Sequence, residues 1–232
     1  MSSFTFKQFH INQQHCAMKV GTDGILLGAW ADVSDCQRIL DMGTGTGLVA
    51  LMLAQRSHEH CQVEAVELDL LAAKQAQENF QASPWHNRLH LTHQDVQTYC
   101  QQTAHQFDLI VANPPYFAQG VECKNDERAL ARYVQQSHLD WLNWAVSCLS
   151  EKGRISFVLP YEAGKTLINS TALYCIKQTD VITKIGKDPQ RMLFTFSREH
   201  LPPVKDSLVI YDENNQYTEE FIALTKAFYL KM

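Results

Sequence analysis

Apolar and polar positions divide the chain into short buried runs separated by longer amphipathic ones. Residues 38–42, Arg-Ile-Leu-Asp-Met, form an apolar run that stops at a glycine cluster, which predicts a buried strand. Residues 47–56 then supply Leu, Ala, Met and Gln, good helix formers. The pair recurs: 62–67 reads as a second strand, and Leu70–Phe80, rich in Ala, Gln and Lys, as a helix. Residues 88–93 alternate apolar and polar as a third strand, followed by a short helical segment near 96–103. A fourth strand, 107–112, ends at Asn113. Trp141–Leu149 has the period of an amphipathic helix, and 153–159 is a fifth strand closed by Pro160. Beyond residue 175 the pattern changes. Asp180–Lys187, Arg191–Arg198 and Leu208–Tyr211 read as strands separated by turn residues, before a last helix over Glu219–Tyr229.

Strand–helix alternation predicts an α/β fold: a doubly wound, mostly parallel, seven-stranded Rossmann-like sheet carrying an antiparallel C-terminal strand. No repeat, low-complexity tract or linker divides the 232 residues, so residues 1–232 are expected to form a single domain with a short N-terminal extension of about 35 residues. No apolar run reaches membrane-spanning length, and Met1–Lys7 lacks the apolar core of a signal peptide, so a cytoplasmic protein is expected, with no membrane partner. Seven scattered cysteines with no C-x-x-C pair read as reduced thiols. His58, His60 and Cys61 match no zinc spacing, and no metal is expected. The net charge of −5 is unusual for a nucleic-acid binder. Its distribution is uneven, however: Ile176–Lys205 is rich in Lys and Arg, and Asp206–Glu220 is purely acidic. A local basic surface and an ordinary mixed one both fit.

The candidate chemistry sits at strand ends. Asp41-Met42-Gly43-Thr44-Gly45-Thr46-Gly47 follows the first strand, where open α/β sheets bind ligands. Its alternating Gly43, Gly45 and Gly47 let backbone approach a ligand closely, but the last gap is shorter than in the dinucleotide fingerprint. Asp41 suits a cationic amino acid moiety. Glu67, ending the second strand, suits a pair of ribose hydroxyls. Asp69 reads as a helix cap. Asp95 and the Val96 amide suit an adenine edge, and Asp95 serves equally well as a helix cap. After the fourth strand comes Asn113-Pro114-Pro115-Tyr116. Two prolines fix the backbone and remove N–H donors, leaving the Pro114 carbonyl and the Asn113 side-chain oxygen as acceptors for one planar NH₂ group. Tyr116 and Phe117 offer ring faces for stacking.

These features resemble the class I S-adenosylmethionine-dependent N-methyltransferases. Phe4–Phe9, Met18–Trp30, Val66–Leu68, Ala76–Asn79, Ser83–Trp85, Gly120–Cys123 and Ala227–Leu230 narrow the resemblance, nearly end to end, to the bacterial tRNA1(Val) adenine-37 N6-methyltransferase family. The resemblance implies S-adenosylmethionine as cofactor, the anticodon loop of a valine tRNA as partner, and Lys19, Thr22 and Asp23 over the cofactor's methionine end. A structural capping role for Thr22 and Asp23 stays open. It also implies RNA contacts from Lys7 and Arg191, in a chain expected to act as a monomer. Basic residues ahead of the Phe-Thr-Phe-Lys segment are missing here, and the loop before Arg191 differs from the family pattern. A protein glutamine methyltransferase shares the tetrad but carries a helical substrate domain ahead of the glycine loop. A DNA adenine methyltransferase needs a target-reading domain. A non-catalytic binding protein would be expected to have an altered tetrad.

Overall fold

Strands that are apolar on both faces can only be buried between two layers of helices, and that requirement sets the architecture. The computed structural model describes residues 3–14, 19–115 and 137–231. Strands β1 (Ser3–Thr5) and β2 (His10–Asn12) form a separate antiparallel hairpin. The central sheet comprises β3 (Arg38–Met42), β4 (Gln62–Glu67), β5 (Leu89–His93), β6 (Phe107–Ala112), β7 (Leu149–Pro160), β8 (Tyr174–Lys184), β9 (Arg191–Ser197) and β10 (Val204–Tyr211). Their order across the sheet is β10-β8-β9-β7-β6-β3-β4-β5.

The α/β, mostly parallel class is as expected, with two differences. The sheet has eight strands rather than seven, because every segment with a strand pattern joins it. The antiparallel strand is also not at the C-terminus. It is β9, which runs against both β7 and β8, whereas the last strand, β10, pairs in parallel with β8 at the sheet edge.

Alternation along the strands explains the two layers. Ile39, Val63, Ala65, Leu109, Val111, Val158 and Leu193 face one core. Leu40, Met42, Val66, Ile110, Ala112, Phe157 and Phe194 face the other. The first core is covered by α1 (Thr22–Trp30), α2 (Leu48–Arg56), α3 (Leu70–Gln81) and α7 (Glu219–Thr225). The second is covered by α4 (Val96–Gln102), α5 (His138–Ser147) and α6 (Tyr161–Asn169). Helix α1 has no amphipathic period to read, because Gly24–Trp30 are all buried. Its approach to α2 is close: a Cβ at Gly28 would lie 2.8 Å from Met52. Helix α7 stops four residues short of its expected end, at a turn in which the Phe228 amide donates to the Thr225 carbonyl (2.9 Å).

Buried and half-buried polar side chains close the helix ends that this packing leaves open. Arg56 donates to the Gly28 and Ala31 carbonyls (2.8 and 2.7 Å), ending α1 from the last turn of α2. Asn79 on α3 joins three segments. Its amide nitrogen donates to the Thr46 and Asn12 carbonyls (2.8 and 3.0 Å), and its oxygen accepts from the Asn12 amide (2.9 Å). The N-terminal hairpin is thereby fixed to the glycine loop. Phe6, Phe9 and Ile11 complete the attachment by entering the first core.

Asn79→Ala should strand buried backbone groups at both ends and destabilise the fold by about 2–4 kcal/mol. Urea unfolding would measure the loss. Hydrogen exchange should rise at both residue 12 and the glycine loop.

Candidate active site

The site begins with a strand register. In the parallel pairing of β3 with β6, Met42 lies opposite Ala112, so Gly43 and Asn113 emerge side by side from the sheet's carboxyl end. The chain leaves β3 toward β4 on one side while β6 lies on the other, which makes this the topological switch point. A cavity of about 350 Å³ opens there. Lys19, Thr22, Asp23, Asp41, Gly43, Gly45, Asn113, Pro114, Pro115 and Arg191 line it, together with Val20, Gly21, Gly24, Thr44 and Thr46. Residues more than 160 positions apart in sequence therefore share one space.

The glycine loop is held from beneath. Asp41 is 2% exposed, and its Oδ2 accepts from the Thr44 hydroxyl (2.6 Å) and the Ala50 amide (3.1 Å). It thus links the loop to the first turn of α2. Burial pushes its carboxyl up to about 7, and the two hydrogen bonds only partly oppose this. The Gly43 and Thr44 amides donate to the Val66 carbonyl (2.9 and 3.0 Å). Gly43 (φ +69°) lies over buried Trp141, and a Cβ there would come within 2.9 Å of the indole. Gly47 (φ +82°) is more constrained still, with Phe80 2.5 Å from any added Cβ. Gly45 is the opposite case: a Cβ there meets nothing within 4 Å. The loop is packed on its inner side and open toward the cavity.

Glu67, Asp95 and Val96 stand outside the cavity lining, at the ends of the next two strands. Glu67 Oε2 accepts from the Gly45 amide (2.8 Å) and Oε1 from the Asp69 amide (2.9 Å). The Leu68 backbone is a third donor, so the carboxylate as a whole keeps capacity for about one further bond. Burial raises its pKa against the pull of these amides. Asp69 caps α3 through Ala72 (2.7 Å), as its sequence position suggests. Asp95 caps α4, its Oδ1 accepting from the Thr98 amide (2.9 Å) and hydroxyl (3.1 Å). Val96 is buried as the first residue of that helix.

The cavity's other wall is the entry into α1. Gln13 is buried and accepts from the Val20 amide (2.7 Å), holding the Lys19–Gly21 segment in place. Gly21 begins the helix without a side-chain cap, so Thr22 and Asp23 do not cap α1. Asp23 instead accepts from Arg191 Nε (2.9 Å). Arg191, expected to contact RNA, lines the cavity, ion-paired and with a second bond to the Gln190 carbonyl (3.0 Å). Lys7 lies outside the site on the N-terminal hairpin connection, where its ammonium donates to the Lys226 carbonyl (2.6 Å) at the end of α7.

Of the tetrad, Asn113, Pro114 and Pro115 are described and all three line the cavity. Tyr116 and Phe117 lie outside the described residues. Sequence reasoning missed His138. Its imidazole hydrogen-bonds to the Pro115 backbone, and burial lowers its pKa so that it stays neutral. The capping box at the start of α5, Ser137 with Asp140, fixes His138 in turn. That Ser-x-x-Asp spacing was the available signal. No cluster of His, Cys, Asp or Glu among the described residues could hold a metal ion, and no helix among them is long and apolar enough to cross a membrane.

Comparison with known proteins places this geometry in a lineage. Residues 20–165 match the Methyltransferase small domain family. A Haemophilus influenzae (strain PittEE) protein named tRNA1(Val) (adenine(37)-N6)-methyltransferase is 71% identical over 231 residues, covering 100% of both chains. A Pasteurella multocida (strain Pm70) protein of the same name is 61% identical, covering 99% of this chain and 97% of its own. Among solved structures, a predicted O-methyltransferase from Agrobacterium tumefaciens superimposes with a TM-score of 0.70 at 19% identity, over 89% of this chain and 96% of that one. An O-methyltransferase from Bacillus cereus gives 0.54 at 15% identity, over 79% and 84%. At such identities the structures share the fold alone.

The raised pKa of Asp41 has a measurable consequence. The folded protein holds its proton more tightly than the unfolded chain does, so the contribution to stability is full below about pH 4 and fades as pH rises through about 7. Between pH 5 and 8 the ligand-free protein should lose thermal stability. Asp41→Asn should flatten that slope, as a pH series of melting curves would show.

Proposed function

We infer the work of each residue from one premise: the chain belongs to the tRNA1(Val) (adenine(37)-N6)-methyltransferase family. It transfers a methyl group from S-adenosylmethionine to N6 of adenosine 37 in tRNA. We further assign the substrate as the anticodon loop of a valine tRNA, and the acting species as a cytoplasmic monomer whose cavity is built from a single chain.

The residues present fit this cofactor. The face of the loop that opens to the cavity at Gly45 admits a ligand that a Cβ would crowd. The uncapped start of α1 offers backbone N–H groups to a carboxylate, and Asp41 and Asp23 offer charge to an ammonium. Lys19 and Thr22 close over the same end. Glu67, with its remaining acceptor capacity, suits ribose hydroxyls, and Asp95 and Val96 suit the adenine edge. Gly43 and Gly47 keep the loop close to the sheet. When bound, S-adenosylmethionine supplies a methyl group on a cationic sulfur, a strong electrophile.

The chain's own contribution is to orient the amino group of the target. An adenine N6 is planar, and its lone pair is delocalised into the ring. The Asn113 side-chain oxygen and the Pro114 carbonyl accept its two N–H bonds. They favour the pyramidal, positively charged nitrogen of the transition state over the flat ground state. His138 engages the Pro115 backbone, so the acceptor pair is fixed before the target arrives. No strong base is needed, because the nitrogen becomes acidic once alkylated and water can take its proton. The target must leave its loop stack to reach Asn113, at modest cost in a single-stranded loop, and Tyr116 and Phe117 are assigned to stack on it. Lys7 and Arg191 are assigned to the RNA backbone. The observation that carries the reading is the β3–β6 register, which brings the cofactor loop and the acceptor pair into one cavity.

Asn113→Ala should lower methyl transfer to a valine tRNA transcript at least about a hundredfold. Its affinity for S-adenosylmethionine, measured by calorimetry, should stay near that of the parent protein. Methylation of a glutamine peptide but not of tRNA would overturn the assignment.

A further inference from the structure

A second cavity, of about 330 Å³, adjoins the first and is not used by the chemistry above. The two share three residues, Thr22, Asp23 and Arg191. The Asp23–Arg191 ion pair is therefore the partition between them. Beyond it the walls are aromatic. Tyr211 stacks on Tyr217 with ring centroids 4.9 Å apart and planes 22° apart, and Tyr217 stacks on Phe221 at 4.8 Å and 29°. Tyr229 closes the far side.

Phe221 is buried, so the fold accounts for it, but Tyr217 is 40% exposed. A tyrosine at the rim of a cavity, held flat by a stack of rings, presents a rigid face with little conformational entropy left to lose. The polar groups near it, Thr183 and Gln190, are exposed and suit the edge of a heterocycle.

We propose that this aromatic cavity receives the base of the nucleotide next to the target adenosine, resting on the assignment of the Asn113–Pro115 turn in the first cavity to adenosine 37. The argument is continuity. With the cofactor along the glycine loop and the target base at the Asn113–Pro115 turn, the second cavity is the adjoining space that a neighbouring base of the same strand can fill, and the phosphate joining the two bases then passes near the partition. Arg191 is the cation at that position, which gives it a phosphate role without an outward basic face. Stacking on tyrosine tolerates any base, so the cavity holds the loop open around the target rather than reading its sequence.

The test uses the full chain and unmodified valine tRNA transcripts, including transcripts abasic on either side of adenosine 37. Tyr217→Ala should raise the KM for tRNA about tenfold or more while leaving the affinity for S-adenosylmethionine unchanged, and Tyr217→Phe should restore the parent KM. Thr183→Trp, at an exposed rim position, should block the cavity and raise KM similarly without touching the ring stack. One of the two abasic transcripts should raise the parent KM by the same factor and add nothing further in Tyr217→Ala. A parental KM in Thr183→Trp would overturn the proposal. So would abasic losses that multiply with Tyr217→Ala. Failure of the parent protein to methylate intact tRNA at N6 would instead defeat the functional assignment, and the aromatic subsite with it.

Discussion

The parallel pairing of β3 with β6 sets Met42 against Ala112, and each structural feature of the site inherits its position from that register. A slip by one residue would turn Asp41 and the apolar positions of β3 to the opposite layer and separate Gly43 from Asn113. The register is protected by burial on both faces: Ile39, Leu40, Met42, Leu109, Ile110, Val111 and Ala112 are all fully buried. Two continuous cores thus constrain the alignment of the glycine loop with the Asn113–Pro115 turn, the pair proposed to hold the cofactor and the target amino group. The chemistry needs close positioning, and the cheapest source of it is the most rigid part of the sheet.

Above that frame, buried carboxylates hold the glycine loop in place at an electrostatic cost. Asp41 and Glu67 both accept backbone or hydroxyl donors from the loop, and burial raises the pKa of both. Burial disfavours each as an anion, and a cationic or hydroxyl-bearing ligand would offset that cost. The groups that shape the loop are thus the same ones proposed to meet the ligand. This is why neither reading of Asp95 excludes the other: a cap bond to one oxygen fixes the orientation of the carboxylate for whatever meets the other.

What was legible in the sequence follows the same division. Strands β3 to β7 and helices α2 to α4 could be read because their apolar periods are simple, and the ligand loops could be read because they sit where such strands end. Helix α1 could not. A helix buried all round has no polar face, and Gly24 and Gly28 look like breakers until Leu48 and Met52 are seen packed against them. The parallel docking of β10 beside β8 was hidden because edge pairing depends on long-range contacts that leave no local pattern. Lys19 and Asp23 were expected over the cofactor's methionine end through a family resemblance; in the structure both line the cavity, because Gln13 and Asn79 secure the N-terminal segment against the loop. His138 escaped notice because the Ser-x-x-Asp cap marks only its place at the start of a helix, and its backbone partner emerges only in the fold.

Charge is where counting residues misleads most. The stretch from Ile176 to Lys205 looks basic, but the fold uses its cations individually. Lys177 sits 4.2 Å over the Trp30 ring, Lys184 donates to Asn215, Arg198 to the Val146 carbonyl, and Arg191 to Asp23. Cations committed in this way contribute less free positive charge than their number suggests, and the chain as a whole carries −5. A protein with that balance cannot rely on counterion release for its hold on RNA as a basic groove does. The contacts proposed above do not depend on net charge: a base lodged against the Asn-Pro-Pro turn, ring faces, and a single arginine at the boundary between two cavities. Such contacts favour a loop whose bases are already free to unstack. Binding of that kind selects RNA by conformation before any base edge is read.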